Sequence, residues 1–116
     1  MKMSRSLAVA VLAFAALPAL AAAETWSNAS LVDTHCAAKD KVAKDPDSHT
    51  RDCDLMCEKN GFGIFAEGKY YKFDKAGSEK AVEALKASKQ DDHIRVNVTG
   101  TLAGDTIEVS SLELAK

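Results

Sequence analysis

His93-Ile-Arg-Val-Asn-Val-Thr-Gly-Thr-Leu102, Ala103-Gly-Asp105 and Thr106-Ile-Glu-Val-Ser-Ser-Leu-Glu-Leu114 form the stretch that decides the fold. Ile94, Val96 and Val98 alternate with His93, Arg95 and Asn97. The alternation resumes through Ile107 and Val109 after the glycine-bearing turn. A period of two places every apolar side chain on one side of a strand. The stretch therefore reads as a hairpin with one face on a core and the other in water. His93, at the start of the first strand, reads as a surface histidine.

Working upstream, Ala81, Val82 and Leu85 form a narrow apolar stripe on a helix expected from Glu79 to about Lys89, with Ser78 able to cap it. Before it, Phe62-Gly-Ile-Phe-Ala-Glu67 and Tyr70-Tyr-Lys-Phe73 are two short aromatic runs joined by Gly68-Lys69, a second hairpin signal. A helix is expected from Arg51 to Asn60. Thr50 or Ser48 can cap it, Asp52 and Asp54 suit the positive end of its dipole, and Gly61 stops it. Thr34 to Thr50 is crowded with Lys and Asp and reads as a solvated excursion, helical at most between Ala37 and Lys44. Glu24 to Asp33, with the single Trp26, is the first strand. The expected chain is mainly β with one or two short helices, and its order is strand, excursion, strand, strand, helix, strand, strand. This is the order of a five-stranded, OB-like, partly open barrel with a Cys-bearing insertion (residues 34–60) between strands 1 and 2.

The chain has 116 residues with 15 Lys or Arg and 17 Asp or Glu. Residues 1–23 read as a secretory signal peptide. Lys2 and Arg5 precede the apolar run Leu7–Leu17, Pro18 breaks it, and Ala21-Ala22-Ala23 offers a cleavage site near Ala23. The run is shorter than the ~20 residues that span a bilayer, and no later segment is apolar enough to do so. Bacterial export to the periplasm or the medium follows, and the domain proper is residues 24–116. Setting aside Lys2 and Arg5 leaves 13 of the 15 basic groups against all 17 acids. With only seven aromatic residues besides, that charge argues against a nucleic-acid partner.

All three cysteines fall between Cys36 and Cys57, within the excursion. On a helix, Cys53 and Cys57 would share one face with Cβ atoms about 5–6 Å apart, too far for an easy bridge but suitable for a pair of metal ligands. Three readings compete. The first is a disulfide from Cys36 to Cys53 or Cys57, leaving one thiol free. The second is a soft-metal site of Cys36, Cys53, Cys57 and His49, with His35 as alternative ligand, suited to Zn or Cu. His49 is preferred because His35 and Cys36, if on a strand, face opposite ways. The third is a catalytic Cys–His pair, for which no oxyanion donor or orienting group is evident. Tyr70, Tyr71 and Phe73 offer a possible ligand face, although the net negative charge of the domain favours the core for two of the three.

Asp33-Thr-His-Cys36, Cys53-x-x-x-Cys57, the Gly61–Tyr71 hairpin and Val98-Thr-Gly-Thr-Leu-Ala-Gly-Asp-Thr-Ile107 together resemble a family of small exported bacterial domains of unknown function. These have an OB-like barrel with a cysteine pair or triplet after the first strand, and the likeness covers nearly all of the chain after the leader. It implies fold and export and supplies no activity. Where that family carries a Gly just after the first Cys and a His three residues beyond it, this chain has Ala37 and Lys39. A metal site here would need His49 as substitute. The expected function is thus an exported, non-enzymatic binding or structural module holding a soft metal ion. The alternative is a disulfide-stapled domain that docks an envelope protein.

Overall fold

The computed structural model describes residues 22–116, so most of the expected leader lies outside the described residues. Five strands form the barrel: β1 (Glu24–Asp33), β2 (Phe62–Ala66), β3 (Lys69–Phe73), β4 (Arg95–Ala103) and β5 (Thr106–Leu114). They ring in the order β1-β2-β3-β5-β4, with β4 returning to β1. The β3–β5 seam is parallel and rests on two register pairs, Lys72↔Thr106 and Phe73↔Ile107, so the barrel is only partly open to this side. The other seams are antiparallel. Among the described residues, no helix is long and apolar enough to cross a membrane.

The alternation read from the sequence becomes the inner wall. Leu31, Phe62, Ile64, Phe73, Ile94, Val96, Val98, Ile107 and Val109 are buried together, with Ala81 and Leu85 of the long helix. At about 1.5–3 kcal/mol for each large side chain fully removed from water, this cluster drives closure. Both hairpin turns use positive-φ backbone, at Glu67-Gly68 and at Gly104.

Four helices accompany the barrel: α1 (Thr34–Ala37), α2 (Asp40–Lys44), α3 (Arg51–Met56) and α4 (Lys75–Ala87). The sequence reading allowed one or two. Helix α4 starts earlier than expected because Asp74, not Ser78, caps it: the Asp74 carboxylate accepts from the Gly77 amide at 2.9 Å. Ser78 Oγ instead accepts from the Phe62 amide at 3.0 Å, tying α4 to the start of β2. Helix α3 is capped by Thr50 as expected. It ends at Met56, and a separate 3-10 turn over Glu58–Asn60 leads to Gly61, whose φ of +82° only glycine adopts without strain.

The excursion is fastened to the barrel rather than solvated throughout. Asp47 accepts from Ser30 Oγ at 2.8 Å and forms a two-pronged ion pair with Arg95 of β4. Arg51 Nε donates to the Leu85 carbonyl at 2.6 Å.

Candidate metal centre

The site is assembled where β1 stops. Asp33 is both the last residue of β1 and the N-cap of α1, and its Oδ2 accepts from the Cys36 amide at 2.9 Å. The Asp-x-x-Cys spacing thus has a local cause: a capping carboxylate holds the residue three positions on. Thr50 does the same for Cys53, whose amide donates to Thr50 Oγ1 at 3.1 Å. His35 belongs to α1 rather than to a strand and is exposed, so it takes no part in the site. The strand-face argument that set it aside does not apply, because the extended backbone ends two residues earlier.

His49 follows the 3-10 turn at Pro46–Ser48, which swings the chain inward and buries the imidazole. Its Nε2 lies 2.7 Å from Asp33 Oδ1 and 3.2 Å from Asp54 Oδ1. Asp54 Oδ1 also accepts from the Asp33 backbone amide at 2.9 Å, which locks α3 against the end of β1. Both carboxylates are completely buried. Asp54 Oδ2 has no hydrogen-bond partner. Such an atom costs about 1–3 kcal/mol when left unpaired, so its presence calls for a ligand, a proton or a water.

One ligand atom from each of Asp33, Cys36 and Cys57 lies within 4.8 Å of the others, and the same holds for Asp33, His49 and Asp54. Asp33 belongs to both groups. All three cysteines are free thiols: Cys36 buried, Cys57 half-buried and Cys53 exposed. Of the residues singled out in the sequence, Cys36 and Cys57 are therefore brought together with their sulfurs within that distance. His49 adjoins them through Asp33. Cys53 joins neither group. It does share a cavity of about 280 Å³ with Cys36, His49, Lys39 and Lys41.

Electrostatics follow from burial and pairing. His49 is raised to about 10 by its hydrogen bonds to Asp33 and then Asp54, which outweigh burial, so it is an imidazolium at neutral pH. Burial pushes Asp33 upward, but His49 and the Cys36 amide overcome it and hold the carboxyl below its usual range. In Asp54 burial prevails and the carboxyl is raised. The Cys36 thiol is pushed up to about 12, first by burial and then by the neighbouring Asp33 charge.

The three aromatic residues of β3 do not make one face. Phe73 lies in the core, and Tyr71 packs on the inner side against Trp26, ring centroids 5.9 Å apart. Tyr70 points outward to Phe65 and sends its hydroxyl to the Val32 carbonyl at 2.9 Å. That outer face of β1, β2 and β3 is covered by the cluster around Val32, Cys36 and Ala37. Tyr71 lines a cavity of about 420 Å³ with Trp26, Glu24 and Glu67, at the end of β1 remote from Asp33, and Phe73 borders another of about 420 Å³ with Thr34, Gly61 and Ser78.

Neither Asp33, quoted only as the start of the Asp33-Thr-His-Cys36 motif, nor Asp54 was among the candidate ligands named from the sequence. Asp54 resembled a dipole-favouring surface acid, as Asp52 is. A usable signal was present, since Asp54 lies four positions after the cap Thr50 and beside Leu55, which packs on the core. Comparison of the chain with family models, with curated proteins and with solved structures returns no match. The functional reading therefore rests on the residues themselves.

Proposed function

We propose that this chain is an exported, non-enzymatic module that binds a borderline-soft divalent metal ion, of the zinc type, at Asp33, Cys36 and Cys57. His49 and Asp54 serve there as the buried pair that orients Asp33. The observation that carries this reading is the shared carboxylate: Asp33 is within ligand range of two sulfurs on one side and is held by an imidazole on the other. Metal ligands are commonly fixed by such outer partners, and a carboxylate with two thiolates suits zinc. The charges come close to balancing. Two thiolates, Asp33 and Asp54 against a divalent cation and the His49 imidazolium leave at most one negative charge in a site that is largely closed to water. The unpartnered Asp54 Oδ2 adds a reason to expect another polar species nearby.

A disulfide from Cys36 to Cys57 is the second reading, favoured by the approach of their sulfurs to within 4.8 Å. It would staple α1 to the end of α3 and leave Cys53 free, consistent with a domain that docks an envelope protein. Intact mass and metal analysis of untagged protein from the exporting compartment separate the two. The metal reading predicts about one bound ion per chain and three thiols that titrate on denaturation. A mass lower by two hydrogens with no metal would overturn it in favour of the disulfide.

A further inference from the structure

The sulfur atoms of Cys53, Met56 and Cys57 are not exhausted by the inner site. The three residues are spaced i, i+3 and i+4, and the helical turn continues through the last of them: the Cys57 amide donates to the carbonyls of Cys53 and Asp54 at 3.3 and 3.2 Å. At 100° per residue they fall within an arc of about 100° on one side of α3. Met56 is 84% exposed and is the single exposed large hydrophobic side chain among the described residues. Its neighbour Leu55 packs against the core, so α3 has an anchored face and a sulfur face. Cys53 is exposed as well, and Cys57 is half-buried. Exposed acids flank the sulfurs at Asp52 and Glu58.

We infer that Cys53, Met56 and Cys57 form a second, surface metal site, selective for a soft monovalent cation such as Cu(I) or Ag(I). Thiolate and thioether sulfur favour Cu(I), which accepts two or three ligands, whereas zinc takes four and draws on nitrogen and oxygen donors. The inner group sets a carboxylate oxygen beside its two sulfurs; the surface group supplies sulfur alone. Cys57 belongs to both, since its sulfur also lies within 4.8 Å of Cys36 Sγ. A cation caught on the exposed turn is thus one ligand away from the interior. The inference extends the metal-binding reading, but its donors, Cys53 and Met56, lie outside the inner site and test it separately.

The test is anaerobic competition of the reduced, untagged protein with a chromophoric Cu(I) chelator, alongside zinc binding by the same samples. The variants are Met56→Leu, which keeps an apolar helix-forming side chain without sulfur, Cys53→Ser and Cys36→Ser. Both surface variants should lose at least the ~10-fold in Cu(I) affinity that even outer-partner changes produce, with zinc uptake and the urea midpoint unchanged. Cys36→Ser should lose zinc yet keep Cu(I) at the surface turn. Cu(I) binding by Met56→Leu and Cys53→Ser equal to that of the unsubstituted protein would overturn the surface site. So would failure of the unsubstituted protein to compete at all. Loss of zinc binding everywhere with Cu(I) retained would sink the inner-site reading and leave this one standing.

Discussion

At the scale of single residues, His49 is the group on which the site turns. It lies between two fully buried carboxylates, and removing one partner of such an arrangement leaves uncompensated charge in a dry place. His49→Ala is expected to lower stability by about 3–5 kcal/mol, read from urea unfolding. The pH dependence has a definite sign. The folded-state pKa of about 10 lies above the unfolded value of 6.5, so the stabilisation is complete below 6.5 and is lost as pH rises through about 10. Over that window the urea midpoint of the metal-free protein should fall. His49→Gln, which keeps a donor without a titrating proton, should show a flatter profile. An identical slope in both proteins would mean that His49 is not the imidazolium described. Of this cluster, the sequence made the cysteines and His49 visible because those residue types are rare and chemically marked. Asp33 and Asp54 were hidden because acids are common on surfaces, and only the three-dimensional closure of α3 on β1 distinguishes Asp54 from Asp52.

At the scale of elements, the short helices α1 and α3 depend on their side-chain caps, Asp33 and Thr50, because neither is long enough to be stable alone. Asp74 shows how such a cap can do more than start a helix. Its Oδ1 accepts from Gly77 of α4 at 2.9 Å and from the Val109 amide of β5 at 3.2 Å, so one carboxylate fixes the helix to the strand. Asp74→Ala should cost about 1–2 kcal/mol by urea unfolding, with faster amide exchange at Gly77 and Val109 than elsewhere in the barrel. No change in exchange at Val109 would contradict the bridging role. The two hairpins were legible in the sequence because alternation and glycine turns are local signals. The start of α4 was not: Asp74 and Ser78 are both good capping residues, and the choice was made by the Phe62 amide, which lies in a distant segment and takes Ser78 for itself. The helices α1 and α2 were obscured for a related reason. At four and five residues they are too short to show an apolar period; α1 is held by the Asp33 cap, and Val42 of α2 packs on the cluster around Val32.

At the scale of the whole molecule, the barrel supplies a rigid edge and the excursion supplies the chemistry. The excursion is clamped by the Asp33–His49–Asp54 cluster beside β1 and, at its middle, by the Asp47–Arg95 pair beside β4. Clamping of this kind lets a segment with few apolar residues hold donors within fixed distances, the condition for a selective ion site. It also places α1 over the outer face of β1–β3, the face through which OB-like barrels commonly bind extended ligands. That face of the barrel is thereby covered. On the proposed reading a divalent ion sits on Asp33, Cys36 and Cys57. The most direct measurement is a zinc titration of the reduced protein followed by the Cβ resonances of the three cysteines. Saturation at about one ion per chain, with Cys36 and Cys57 moving to thiolate-metal positions and Cys53 unchanged, is the predicted result. Unchanged Cys36 and Cys57 resonances at excess zinc would contradict it, and so would a response confined to Cys53.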